Sequence, residues 1–199
     1  KSDIINLYGG FESYSENYNM IEEVQITENS KLNIIKAAIL EMNPQYGFDL
    51  YVRSEVPPSS GLGASASLCV SVIGVLNHLR KKNRLTKHDI AETAFRSEQD
   101  RLKNMTGRQD QYAASFGGIN LFEFFGDKNV RVNPIEISKD YLLEIEKNIL
   151  LVYSGMKGKS SGDMHNKEKE KNLYENIEKI KILNDIKENG LEVAFSLRR

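Results

Sequence analysis

The sequence predicts an α+β fold, because it contains segments with the pattern of strands as well as segments with the pattern of helices. A strand, a glycine-rich loop and a buried helix follow one another over residues 48–79. Helical spacing of apolar residues also predicts helices over 31–42 and from Thr86 to about residue 102. Two strands, over 121–125 and 130–132, flank a Gly-Asp-Lys turn and predict a hairpin.

The unit over residues 48–79 has a loop suited to a phosphate. Residues 48–53 alternate apolar and polar side chains as a strand does, and residues 68–79 are nearly all apolar. Small residues at a helix start expose backbone N–H groups, and the helix dipole adds partial positive charge there. The serines add hydroxyl donors or a metal ligand. On local sequence alone, a tight strand-to-helix turn is the alternative. The loop reads Pro57-Pro58-Ser59-Ser60-Gly61-Leu62-Gly63-Ala64-Ser65-Ala66-Ser67.

The two predicted helices beside this unit have recognisable ends. The helix over 31–42 buries Leu32, Ile35, Ile39 and Met42 on one face, and Pro44 stops it. Thr86 is a good N-cap for the next helix, and Asp89 three residues later completes a capping box with Asp in place of Glu.

One carboxylate is predicted to point inward from this second helix. Glu98 lies four residues after Ala94 and so projects from the same apolar stripe. An unpaired buried charge is costly, which makes the residue a candidate for a functional site. The alternative is a carboxylate at the edge of the core, paired with Arg101 or Lys103.

A second candidate acid lies in the small, glycine-bounded segment 107–118. Asp110 stands between Gln109 and Gln111, and amides beside a carboxylate can hold it by hydrogen bonds. Local chemistry equally allows a short capping turn.

The remaining elements carry no recognisable active-site motif. Residues 149–153 predict a strand, and residues 154–162 form a basic loop. That loop contains Gly158-Lys159-Ser160, but a P-loop would need a glycine where Tyr153 stands. A charged helix is predicted from residue 167 to about 186, with Leu173, Ile177, Ile180 and Leu183 inward and Asn189-Gly190 as its end.

Composition excludes several classes of protein. The net charge is −1 over 199 residues, which gives no reason to expect nucleic acid or a membrane surface as a partner. No apolar run approaches the roughly 20 residues of a membrane span. Cys69 is the single cysteine and lies among apolar residues, consistent with the reducing cytoplasm.

The glycine-rich loop and the two acids together resemble a known family. The pattern Pro57-x-x-x-Gly61-Leu62-Gly63-Ala64-Ser65-Ala66 resembles the second motif of the GHMP small-molecule kinases. The segment 107–124 looks like the D-glycero-D-manno-heptose 7-phosphate kinase branch of that family, as do residues 130–134 and 150–155. The family's first and third motifs are not visible.

This resemblance implies roles for individual residues. The nucleotide phosphates would be bound by the loop, through Pro57, Ser59, Ser60, Gly61, Leu62, Gly63, Ala64, Ser65, Ala66 and Ser67. Ser65 and Glu98 would hold Mg²⁺. Asp110 would face the acceptor hydroxyl, as base or as orienting anion.

The resemblance also implies an activity and a domain organisation. The activity would be ATP-dependent phosphorylation of the anomeric hydroxyl of a heptose 7-phosphate, giving a 1,7-bisphosphate. The alternatives are another sugar kinase of the family, such as a fucose kinase, or a non-catalytic member that binds sugar or nucleotide. We expect a β-α-β type nucleotide-binding domain over 1–147 and the start of a ferredoxin-like domain, incomplete here, over 148–199. The sequence leaves a homodimer open.

Overall fold

The structure is a computed structural model, and it describes residues 5–11, 19–24, 33–54, 60–103, 106–126, 129–152 and 177–198. Those up to Ser115 belong to one compact unit and those from Phe116 onward to a second. This division does not test the domain boundary expected after residue 147, which stays a prediction. None of the helices described is long and apolar enough to cross a membrane.

A three-stranded sheet forms one layer of the first unit. Its strands are β1 (Ile5–Phe11), β2 (Asn19–Val24) and β3 (Phe48–Ser54), in the order β2-β1-β3. The central strand β1 runs antiparallel to β2 and parallel to β3. The predicted strand at 48–53 is confirmed, and its alternation has the expected effect: every second residue of β3 packs against the core.

Two helices, α1 (Asn33–Met42) and α2 (Ala64–His78), supply most of that core. Helix α1 was expected from the spacing of its apolar residues and α2 from the nearly continuous apolar run over 68–79, although α2 begins earlier, at Ala64. Helix α1 ends where Asn43 takes a positive φ of 44°, directly before Pro44. The buried cluster comprises Ile35, Ala38, Ile39, Met42, Cys69, Val70, Val72, Ile73, Leu76 and Ala94.

Helix α3 (Lys87–Arg96) begins at the predicted capping box. The Thr86 hydroxyl accepts a hydrogen bond from the Asp89 backbone N–H at 3.2 Å, and the Asp89 carboxylate accepts one from the Thr86 N–H at 2.9 Å. The Thr86 hydroxyl also donates to the Asp89 carboxylate at 2.7 Å, and this bond, together with the one from the Thr86 N–H, lowers the pKa of Asp89 below its ordinary value. The helix is followed by a π-helical turn over Ser97–Arg101, which the sequence did not predict.

Replacing Thr86 by alanine is expected to lower the free energy of unfolding by about 1 kcal/mol. The reason is that Asp89 loses both of its hydrogen bonds to the Thr86 hydroxyl, one through its carboxylate and one through its N–H. Since folding lowers the pKa of Asp89, the stability it adds is present above the ordinary carboxyl pKa and is lost as the pH falls. Urea unfolding of wild type and variant at neutral and acidic pH measures both effects. An equal difference in the free energy of unfolding between the two proteins at every pH would contradict the predicted pH dependence.

The second unit begins at Phe116, the last residue of helix α4 (Gln109–Phe116). Strands β4 (Asn120–Phe125) and β5 (Asn129–Pro134) pair as the predicted antiparallel hairpin. Helix α5 (Lys139–Asn148) comes next and was not predicted, although Ser138 caps it through the Tyr141 N–H. Helix α6 (Ile177–Leu197) closes the described chain and contacts β4.

Two of the predicted features after residue 148 are wrong. Residues 149–152 form no strand and are exposed, because an apolar run becomes a strand only beside a partner edge; Tyr153 lies outside the described residues. Helix α6 continues through Asn189-Gly190, since a single internal glycine costs only about 1 kcal/mol and Ala194 beyond it is buried. Its predicted inward residues Ile180 and Leu183 are exposed. Leu173 lies outside the described part of the chain.

Candidate active site

The first feature of the site is the start of helix α2. Gly61 and Gly63 have positive φ angles of 78° and 66°, which glycine adopts without strain. Gly63 is the N-cap of α2, and glycine offers no side-chain oxygen to the N–H groups of the first turn. The buried Ser60 hydroxyl has no hydrogen-bond partner among the described residues. The loop therefore presents backbone and hydroxyl donors of the kind that bind a phosphate.

The second feature is Asp110, which lies directly against this loop. A Cβ atom built on Gly63 would lie 3.5 Å from both Cγ and Oδ2 of Asp110. Asp110 is exposed and is the second residue of α4. Two segments 47 positions apart thus bring a carboxylate to the N-terminus of α2. The sequence predicted both groups as candidates but not their contact.

The third feature is Glu98, which is only 6% exposed. It lies in the π-helical turn, and its carboxylate accepts hydrogen bonds from the Gln111 amide at 2.8 Å and from Ser65. Burial raises the pKa of Glu98, the two hydrogen bonds oppose this, and the nearby charge of Asp110 raises it further. The predicted inward direction is confirmed. Pairing with Arg101 is wrong, because Arg101 donates to Glu41 at 2.9 Å.

Gln111 has a different partner from the one its position suggested. The flanking amides were candidates to hold Asp110, yet Gln109 is exposed and Gln111 binds Glu98. Gln111 is 0% exposed, and its Oε1 has no hydrogen-bond partner among the described residues. Its spacing of three from Ala114, which packs against the core, was the signal that it faces inward.

A polar cluster that the sequence did not reveal fixes the start of α4. One oxygen of Glu92 in α3 accepts from Arg108 Nε at 2.9 Å and from the Tyr112 hydroxyl at 2.8 Å. The Arg108 guanidinium also lies 3.9 Å from the centre of the Phe95 ring. Burial and the hydrogen bond to Glu92 raise the pKa of Tyr112. Because Arg108 and Tyr112 lie two residues before and after Asp110, these contacts hold Asp110 at the loop.

The donor set suits a hard divalent cation such as Mg²⁺. Ser65 and Glu98 provide two oxygen donors in direct contact with each other, and Asp110 is close enough to repel the charge of Glu98. Mg²⁺ is usually bound by one or two carboxylates together with substrate phosphates and water. No group of three or more His, Cys, Asp or Glu residues suited to a metal occurs among the described residues.

The structure accordingly gathers most of the predicted site residues in one place. Of the described loop residues, 60–63 precede α2 and 64–67 form its first turn. Ser65 is hydrogen-bonded to Glu98, and Gly63 lies beside Asp110. Pro57 and Ser59 lie outside the described residues. A hydroxyl-rich glycine loop, a buried acid and an exposed acid within one unit form an arrangement typical of phosphoryl transfer.

A comparison with known protein families indicates the class of protein that this chain resembles. Residues 33–118 match the family model described as "GHMP kinases N terminal domain". This match confirms that residues 33–118 resemble the N-terminal domain of the GHMP kinases, and the predicted α+β fold is confirmed as similar to that of a solved sugar kinase.

Several of the similar proteins are sugar kinases. The chain is 38% identical over 109 residues to the D-glycero-alpha-D-manno-heptose 7-phosphate kinase of Campylobacter jejuni, covering 55% of this chain and 32% of that protein. A putative sugar kinase structure from Campylobacter jejuni aligns with a TM-score of 0.56 and 32% identity, over 72% of this chain and 46% of that one.

A galactokinase shares the fold as well. The Lactococcus lactis enzyme, complexed with galactose, aligns with a TM-score of 0.54 and 23% identity, over 69% of this chain and 38% of that one. The chain spans about a third to a half of the length of these relatives.

Proposed function

We propose that the protein is an ATP-dependent sugar kinase that phosphorylates the anomeric hydroxyl of D-glycero-D-manno-heptose 7-phosphate, giving the 1,7-bisphosphate. The observation that carries this proposal is the position of Asp110, whose Oδ2 would lie 3.5 Å from a Cβ atom built on Gly63 at the start of α2. It sets a carboxylate beside the loop suited to the transferred phosphoryl group. The choice of heptose rests on the 38% identity to a heptose 7-phosphate kinase.

In this proposal the loop binds the nucleotide phosphates through Ser60 and the backbone N–H groups at the start of α2. The segment 57–67 supplies these donors, and the unpartnered Ser60 hydroxyl is free to turn toward an oxygen anion. Charge accumulates on the phosphoryl oxygens during transfer, and fixed N–H donors stabilise it without reorganising. The proposal also includes Pro57 and Ser59 among the phosphate-binding residues, as predicted from the sequence.

Asp110 orients the acceptor hydroxyl and takes its proton as the hydroxyl oxygen bonds to the terminal phosphorus of ATP, while the bond from that phosphorus to the bridging oxygen breaks and ADP leaves. It is exposed, so an acceptor can reach it, whereas Glu98 is buried. Ser65 and Glu98 hold Mg²⁺ against the nucleotide phosphates. When bound, the cation neutralises phosphate charge. The proposal includes a cytoplasmic location, in keeping with the buried, unpaired Cys69.

The test is ADP release by the full-length protein with heptose 7-phosphate, fucose, galactose and mevalonate as separate acceptors. We expect turnover with the heptose 7-phosphate at a kcat/KM at least about tenfold above that of the others, because the anionic 7-phosphate adds binding energy. Preferred turnover of a free sugar would instead assign another sugar kinase of the family. Binding of ATP by calorimetry without turnover of any acceptor would assign a non-catalytic member.

A further inference from the structure

Gln111 is a fully buried polar side chain at the site, and the proposed chemistry does not use it directly. Its amide nitrogen donates to Oε1 of Glu98 at 2.8 Å, and the residue is 0% exposed. A hydrogen bond to a charged group in a dry environment is stronger than one between neutral groups. Gln111 therefore limits the rotation of a carboxylate that is itself only 6% exposed.

Packing alone does not explain a glutamine at this position. Its Oε1 is buried without a partner among the described residues, and an unsatisfied buried polar atom costs about 1–3 kcal/mol. Methionine or leucine would fill a similar volume without that cost. Within the described part of the chain, the one hydrogen bond of this amide goes to Glu98, so the side chain's contribution lies in how it holds this carboxylate.

The position of Gln111 in the chain adds a second consequence. It follows Asp110 directly, and both lie in the first turn of α4, which Glu92 fixes through Arg108 and Tyr112. One helix start thus carries the acid at the loop and the donor that holds the acid in the π-helical turn. Each carboxylate is oriented by the same rigid segment.

We propose that Gln111 is a positioning residue that orients the Glu98 carboxylate for binding a divalent cation. The inference rests on the proposed function, in which Glu98 is a cation ligand. Residues that orient metal ligands from outside the coordination sphere typically change metal affinity by about 10–100-fold when they are replaced.

The experiment compares Gln111→Met with Gln109→Met in the full-length protein. Both replace a glutamine next to Asp110, but Gln109 is exposed and serves as the matched control. Mn²⁺ binding in the presence of ADP, followed by electron paramagnetic resonance, is expected to weaken at least about tenfold in Gln111→Met and to stay unchanged in the control. If Gln111→Met does not fold, as judged by circular dichroism, Gln111→Leu replaces it.

Kinetics provide a second readout that general damage to the fold would not produce. The Mg²⁺ concentration for half-maximal activity should rise in Gln111→Met, while kcat at saturating Mg²⁺ and the KM for the acceptor stay close to wild type. Equal Mn²⁺ affinity in wild type and Gln111→Met would overturn the positioning role and leave the proposed function standing. Weaker Mn²⁺ binding in a protein that turns over no acceptor would support the positioning role and count against the kinase.

Discussion

Replacing Asp110 by asparagine is expected to lower kcat of the full-length protein by about 10²–10⁴-fold, the usual contribution of a positioned general base. Asparagine keeps the shape of the side chain beside Gly63 but cannot take the proton of the acceptor hydroxyl. The Kd for nucleotide should not rise, because removing a negative charge next to the phosphate-binding loop reduces the repulsion of the nucleotide phosphates. ADP release at saturating substrates and calorimetric titration with a non-hydrolysable ATP analogue measure the two quantities.

A structural role for Asp110 makes a different prediction. A carboxylate in the first turn of a helix stabilises it by about 0.3–1 kcal/mol through the helix dipole. Asp140 is the second residue of α5, as Asp110 is of α4, so Asp140→Asn is the matched control for that effect. We expect a similar, small loss of stability in the two variants and a loss of turnover only in Asp110→Asn. Undiminished turnover in Asp110→Asn would rule out its role as base.

The local parts of the site could be predicted because each depends on short-range chemistry. The capping box at Thr86 and the glycine-rich loop before α2 follow from the preferences of a few neighbouring residues, although α2 begins at Ala64, four residues before the apolar run from which it was predicted. The inward direction of Glu98 followed from its spacing after Ala94, and the π-helical turn did not change that direction.

The contacts between these parts could not be predicted, because they depend on how α3 and α4 pack. Glu92 meets Arg108 and Tyr112 across 16 and 20 positions, and no local pattern marks such partners. The end of α6 shows a case in which a local pattern gave a wrong prediction. The Asn189-Gly190 pair is a common stop signal, but the segment beyond it buries Ala194, and packing outweighs the local preference.

Replacing Glu98 by glutamine is expected to change activity and stability in opposite directions. Activity with Mg²⁺ should fall at least about 100-fold, because the neutral amide is a poor ligand for a hard cation and leaves phosphate charge less well balanced. Without a cation, the variant should be more stable than wild type at neutral pH. The new side chain can still accept the hydrogen bond from Gln111, so the fold loses a buried charge and keeps this contact.

The sign of the stability change follows from the pKa of Glu98. Burial, with a smaller contribution from Asp110, raises this pKa above its ordinary value of 4.5, so the folded protein holds the proton more tightly than the unfolded chain. Stability from this group is therefore complete below the unfolded pKa and is lost as the pH rises toward the folded pKa. Above that range the ionised, buried Glu98 destabilises the cation-free protein. Glutamine removes the penalty, because it does not ionise.

Urea unfolding in the presence of a chelator measures this effect directly. The midpoint for wild type should decline between the ordinary carboxyl pKa and neutral pH by more than that of Glu98→Gln. Glu144→Gln, which removes an exposed carboxylate from α5, is the matched control and should follow wild type. Adding Mg²⁺ with ADP should stabilise wild type but not Glu98→Gln, since a ligand that binds the folded state raises its stability. A less stable Glu98→Gln in chelator would mean that the charge itself holds the fold together, and that Glu98 is a structural residue rather than a cation ligand.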